Sequence, residues 1–324
     1  MRSSFWPFLL KLALAAALLA WLSVEVEWAE IGAAVAGAHP GWLLAAAALL
    51  PLNLWLESYR WHRLVLRVAP DVSAGEAFRA VLSGYPIGLL TPGRVGDYAG
   101  RALALRGRGT DGWTLAALTF AERMATLACC LVVGLVAVAV LLATQTEIAN
   151  PAWGTLFACA LVATAGFVAL LLRPRRARAV LAAVLPFEKV RKLLGTLDPL
   201  TQDDARQLLA LSLVRYGVFS TQFVLLVKAF DAAAPLGWTA VAVALVFFAK
   251  SAVPSFTLAD LGIREGFAVY FMALYGIAEA AAFNGALALF ALNILTPALI
   301  GLPLALRLRV TTDAPSALEP VTDR

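Results

Sequence analysis

The chain has 324 residues, of which 61% are hydrophobic and 15% charged, and its mean hydropathy is +0.82. Soluble domains average about 25% charged residues, so the composition excludes an ordinary soluble enzyme and points to a membrane protein crossing the bilayer several times. The net charge of +5 comes from basic residues gathered in particular loops. That pattern reads as membrane topology rather than nucleic-acid binding.

In chain order, the first predicted span runs from about Phe5 to Leu22. Arg2 and the apolar run to Trp21 resemble a signal peptide. Lys11 interrupts the run, however, and Glu25, Glu27 and Glu30 follow with no clear cleavage site, so an uncleaved span is expected. Span 2 covers about Gly41 to Ser58 and ends in Tyr59-Arg60-Trp61-His62-Arg63, read as an interfacial belt on the cytoplasmic side. Ser73 with Glu76 three residues on makes a capping box. The apolar run behind it meets Gly84, Pro86 and Gly88, read as breaks, and then the turn Pro92–Asp97. Both flanks of this segment, Arg60–Arg67 and Arg101–Arg108, are basic, so it is predicted to enter and leave from one side as a re-entrant hairpin.

Span 3, about Trp113 to Ala143, would be about 46 Å long against a hydrocarbon core of about 30 Å, and carries Glu122-Arg123. Span 4 covers about Trp153 to Leu172. A basic loop follows, with surface-lying amphipathic helices expected at Val180–Leu185 and Val190–Leu197. Thr201 with Asp204 caps span 5, about Gln207 to Phe230. That span contains Arg215, and Lys228 near its outer end is expected to snorkel. Trp238–Ala249, the interruption from Lys250 to Gly266 and the apolar run to Tyr275 read as a second hairpin, entering from the opposite side; if Lys250 marks a cytoplasmic end, the region is two short spans instead. A last span, about Ala282 to Leu306, ends in Arg307 and Arg309. The expected fold is therefore all-α and polytopic, with about six full spans and two re-entrant hairpins, both termini being cytoplasmic. The order span, span, hairpin, span occurs twice with opposite orientation, an inverted repeat of about 1–143 and 152–309 within one domain. The tail 310–324 is expected to be disordered.

The two hairpin tips carry the chemistry. Pro92, Gly93 and Gly96 shape the first, and Pro254 and Gly262 the second. Each tip combines glycine, arginine and carboxylate with a following half-helix, whose N–H groups and dipole favour an anion. Arginine matches phosphate bidentately. The intramembrane charged set is Arg94, Asp97, Glu122, Arg123, Arg215, Lys250, Asp260, Arg264 and Glu265. An unpaired charge at mid-bilayer costs roughly 2.5–3.5 kcal/mol on insertion scales, so these groups must pair or face water. The expected substrate-binding residues are Arg94, Asp97, Arg101, Glu122, Arg123, Arg215, Arg264 and Glu265. They form a site between the two tips, with Glu122, Arg123 and Arg215 as its walls. Cys129, Cys130 and Cys159 fall in apolar runs as packing residues and imply no disulfide framework. No His/Cys/carboxylate spacing suits a metal, and no cofactor is expected.

Arg60-Trp61-His62-Arg63-Leu64, Pro92-Gly93-Arg94-Val95-Gly96-Asp97 with Arg101, Glu122-Arg123, and Leu261-Gly262-Ile263-Arg264-Glu265 together resemble the flippase-like transmembrane domain of lysylphosphatidylglycerol synthases. The resemblance covers the chain to about Arg309. It implies translocation of a lipid between leaflets, in a cytoplasmic membrane of bacterial type. Fused members carry an aminoacylated phosphatidylglycerol. The synthase domain is missing from these residues, which leaves the cargo open among anionic or modified phospholipids, glycolipids and polyprenyl-linked intermediates. A homodimer and an enzyme partner both remain open. The rival readings are a membrane-embedded enzyme acting on a lipid head group, with Asp97, Glu122 and Glu265 as acid/base groups, and an accessory subunit of a lipid-modifying enzyme. The sequence offers no nucleophile-plus-base pair and no P-loop, so neither catalysis nor ATP drive is expected.

Overall fold

The structure is a computed structural model and describes residues 37–145, 151–184, 195, 199–253 and 260–308. The first predicted span, Pro254, most of Val190–Leu197 and the tail lie outside the described residues. Within them the chain is a bundle of helices, with five helical stretches, two of them made of consecutive helices, long and apolar enough to cross a membrane.

Span 2 is two helices, Pro40–Ala48 (α1) and Leu50–Val65 (α2), stepped at Leu49. Pro51 lacks the N–H that would take the Ala47 carbonyl. Helix α2 runs on through Arg60 and Trp61, which are buried at 1% and 0% exposure rather than interfacial. These two residues of the predicted belt are thus core, and Trp61 Nε1 donates to Thr119 Oγ1 at 3.0 Å on the helix behind it.

The first hairpin pairs Ala74–Leu89 (α3) with Val95–Ala104 (α4) across a tight turn at Pro92–Arg94. The capping box is present: Ser73 N–H donates to Glu76 Oε2 at 3.0 Å, and Glu76 N–H to Ser73 Oγ at 3.3 Å. Ser73→Ala is expected to lower the stability of the detergent-solubilised protein by about 1 kcal/mol, read as a lower melting temperature. An unchanged melting temperature would show that tertiary packing alone fixes the helix start. Gly84, Pro86 and Gly88 do not break α3. Instead the glycines face α4: a Cβ on Gly84 or Gly88 would meet Asp97, and one on Gly96 would lie 2.3 Å from the Ile87 carbonyl oxygen. Small residues at i and i+4 on both arms let the two backbones touch.

Asp111 caps Gly112–Thr144 (α5) through the Thr114 N–H at 2.7 Å. Pro151–Leu171 (α6) leads to the basic helix Pro174–Val184 (α7). Thr201 and Asp204 cap Gln202–Phe230 (α8) as expected. The second pair is Leu236–Ala252 (α9) and Asp260–Ala273 (α10), which pack together. The last span is Glu279–Phe290 (α11), a wide π turn at Ala291–Leu295, and Thr296–Arg307 (α12). Pro297 has no N–H for the Asn293 carbonyl, and the helix widens just before it. Lys228 does not snorkel. Its Nζ caps the end of α8 through the Ala232 and Ala234 carbonyls at 2.6 and 2.8 Å. The three cysteines are free thiols, but Cys159 is exposed on α6 rather than packed.

Two packing features position the site. The first hairpin leans through α3 on α12, the end of the chain's second half, while α9 of the second pair leans on α5, the end of the first half. Between them α1 and α2 lie antiparallel to α8 along a seam of polar pairs. The pairs, in order, are Arg67–Asp204, Arg63–Gln207, Arg60–Ser212, Glu57–Arg215 and Asn53–Gln222, ending where His39 N–H meets the Ala229 carbonyl.

Candidate functional site

The seam, the first hairpin and α5 converge on a buried charge cluster. Arg101 of α4 is its hub and has no exposed surface. Its Nε donates to Asp97 Oδ1 at 2.9 Å, Nη1 to Glu122 Oε2 at 2.8 Å, and Nη2 to Glu57 Oε1 at 2.7 Å and Asp97 Oδ2 at 3.1 Å. The Trp61 ring lies 5.5 Å from its guanidinium carbon.

Glu57 of α2 is shared more widely still. It accepts from Arg101, from Tyr85 Oη at 2.6 Å and from Arg215 Nη2 at 2.7 Å, and Arg123 lies 3.5 Å away. Asp97 also pairs with Arg123. Glu122 accepts from Arg60 Nη2 at 2.5 Å, while Arg60 Nη1 reaches Ser212 and Thr126 at 2.6 and 3.1 Å. Thus four guanidiniums (Arg60, Arg101, Arg123, Arg215) meet three carboxylates (Glu57, Asp97, Glu122), one positive charge in excess.

Arg94 adds a second. It stands at the tip with φ 56° beside Gly93 at φ 62°, and is the one non-glycine with positive φ among the described residues. A side-chain-bearing residue in that region signals strain held by its surroundings. Its guanidinium lies over the Tyr85 ring at 5.0 Å, and its Nε and Nη2, both shielded from solvent, have no hydrogen-bond partner. Arg94 is thus joined to the cluster through Tyr85, whose hydroxyl holds Glu57.

Of the residues expected from sequence, Asp97, Arg101, Glu122, Arg123 and Arg215 are brought into one network, with Arg94 at its edge. Arg264 and Glu265 are not part of it. They pair with each other at 2.6 Å on α10, Arg264 lies over Phe290, and Glu265 also takes the Gly262 N–H at 2.7 Å, where Gly262 has φ 99°. Each tip's helix start is partly satisfied within the chain, since Thr91 Oγ1 takes the Gly96 N–H at 2.7 Å. The tips therefore offer guanidinium more than free backbone N–H.

Sequence reasoning missed Glu57 and Arg60. The signal was present: a carboxylate in the apolar run Leu52–Ser58 has the same cost at membrane depth that singled out Asp97. Reading Arg60 as part of a surface belt hid its partnership with Glu122.

No curated protein and no solved structure matches the chain. A family model described as the lysylphosphatidylglycerol synthase TM region matches residues 8–301, and the chain belongs to that family of multi-pass membrane proteins.

Proposed function

We propose that this protein carries a lipid with an anionic head group between the leaflets of a bacterial-type cytoplasmic membrane, without chemical change to it. The single observation that carries the reading is Arg94. Two of its nitrogens, Nε and Nη2, are shielded from solvent without a hydrogen-bond partner, next to a cluster that already has more guanidinium than carboxylate. A phosphate would complete its hydrogen bonds and offset the charge excess.

The swapped packing, with each broken helix pair leaning on the closing span of the other half, supports an inverted repeat. In such repeats, relative rocking of the halves exposes one site to each side in turn. The first hairpin then acts as the moving gate, with Arg94 at its tip meeting the head group while the acyl chains stay in lipid. Charged groups paired as closely as Asp97, Arg101 and Glu122 hold the gate in register.

The test is transbilayer movement of fluorescent phospholipids in vesicles reconstituted with the full chain. The wild type is expected to accelerate the flipping of an anionic or aminoacylated lipid. Arg94→Gln should slow it about tenfold to a hundredfold, the loss expected for about 1.5–3 kcal/mol of charged hydrogen bonding. Equal rates for the two proteins would remove Arg94 from the transport step. A wild type that moves no lipid of any head-group class would favour an accessory role beside a lipid-modifying enzyme.

A further inference from the structure

One helical turn beyond the charge cluster, three amide side chains from three separate segments meet in the interior. Asn53 of α2, Gln222 of α8 and Asn293 of the π turn are 1%, 0% and 4% exposed. Asn53 Nδ2 donates to Asn293 Oδ1 at 2.5 Å and to Gln222 Oε1 at 3.4 Å, and Gln222 Nε2 donates to the Ala46 carbonyl at 3.1 Å. Both N–H bonds of the Asn53 amide are thereby committed. Its carbonyl oxygen, Oδ1, accepts nothing, and Asn293 Nδ2 donates to nothing. Two amides already in contact thus leave one open acceptor and one open donor, both shut away from solvent.

Buried polar groups are hydrogen-bonded in nearly all folded proteins, and an exception calls for a ligand or a water. The pair of open groups selects the chemistry. A cation would suit the Asn53 carbonyl but be repelled by the Asn293 N–H bonds. An anion would suit Asn293 and be repelled by Asn53. An apolar group would satisfy neither. A hydroxyl donates and accepts through a single oxygen. The surroundings suit a transient occupant, because wide π turns occur often at functional sites. This one also leads into α12, the helix against which the first hairpin rests. Asn53 precedes Glu57 by four residues, about 6 Å along α2, so the amides lie one turn from a carboxylate of the charge cluster.

We infer that Asn53 and Asn293 form a binding site for one hydroxyl oxygen, supplied by a glycerol- or sugar-type head group or by a water. Gln222 is a positioning residue that fixes the Asn53 amide. The head-group source rests on the lipid-carrier reading above. If it holds, the site narrows the cargo to anionic lipids that also carry a free hydroxyl.

Binding, measured apart from transport, tests this. Dihexanoyl phosphatidylglycerol and dihexanoyl phosphatidylethanol share chains and phosphodiester, but only the first has head-group hydroxyls. Titrated into the full chain in detergent, the first is expected to bind about five- to tenfold more tightly, the value of one well-made hydrogen-bonded pair of contacts. In Asn53→Leu/Asn293→Leu the two lipids should bind alike. Asn293→Leu alone serves if the double variant does not fold, and should lose most of the preference. A second arm is a high-resolution structure of the lipid-free wild type, examined for an oxygen between Asn53 and Asn293.

A preference that disappears with the asparagines supports the head-group hydroxyl. No preference, but an oxygen in the lipid-free structure, supports the site with water as its occupant. A preference retained in the variants, or neither preference nor oxygen, overturns the site. If vesicles show no flipping while the binding preference stands, the carrier reading falls and the hydroxyl site remains.

Discussion

Glu57→Leu is expected to be the most damaging single change in the charge cluster, costing about 3–5 kcal/mol of stability. Glu57 is 0% exposed and takes hydrogen bonds from Arg101, Arg215 and Tyr85. Leucine fills much of the space but leaves Arg215 without its carboxylate, orphans the Tyr85 hydroxyl and raises the excess of guanidinium over carboxylate by one. The measurement is the melting temperature and the folded yield after extraction. The discriminating variant is Glu57→Leu/Arg215→Leu, which removes the pair together. Breaking a buried ion pair costs far more than replacing it with apolar groups of similar volume, so the double variant should recover a large part of the loss. The coupling is expected to be at least about 1 kcal/mol, since groups in one network are non-additive. If both variants melt with the wild type, the cluster is hydrated and contributes little to folding. Recovery in the double variant would also separate stability from transport, because Arg215 can then be absent from a folded protein whose flipping is measured.

Much of the helical plan was legible because membrane spans are written in long apolar runs bounded by polar loops. The ends of α5 and the caps at Ser73, Thr201 and their carboxylate partners could be placed from residue type alone. The charged residues around the first tip were legible for a related reason, since Asp97 of the hairpin and Glu122, Arg123 and Arg215 of the spans beside it stand in a setting where charge is expensive. What failed was the meaning of residues with two roles. Gly84 and Gly88 read as breakers, yet they lie in a continuous helix and serve close approach to α4. A glycine's partner across a hairpin is set in three dimensions and leaves no mark in local sequence. Arg60 and Trp61 read as interface residues, because their types are the same at a membrane surface and in a sealed polar core. The amide site was the least legible of all: Asn53, Gln222 and Asn293 are far apart in the chain, and each taken alone is an unremarkable polar residue in a helix.

Gly301→Ala is expected to displace the first hairpin from its support. A Cβ at this position would lie 2.0 Å from the backbone oxygen of Leu82, with Pro86 Cδ also near at 3.3 Å. The physical reason for so close an approach is Pro86. It lies inside α3 and has no N–H to take the Leu82 carbonyl four residues earlier. That carbonyl is therefore open on the face where α12 passes. The Gly301 hydrogen pointing along the missing Cβ direction meets it, a weak Cα–H···O contact of the kind found where helices pack closely. A methyl group cannot share that space with a backbone oxygen, so α12 and α3 must separate, and neither is a flexible side chain. Overpacking of this kind costs about 1–3 kcal/mol, occasionally more. Gly217→Ala supplies the control, since nothing lies within 4 Å of its Cβ direction and alanine is worth about 0.5–1 kcal/mol over glycine inside a helix. The two substitutions, chemically identical and both within helices, should therefore shift the melting temperature in opposite directions. Because Asp97 and Arg101 ride on the hairpin, Gly301→Ala should also lower flipping in vesicles. Gly301→Ala with an unchanged melting temperature would mean that α12 has room to slide past α3, and the hairpin would then owe its position to the charge cluster alone.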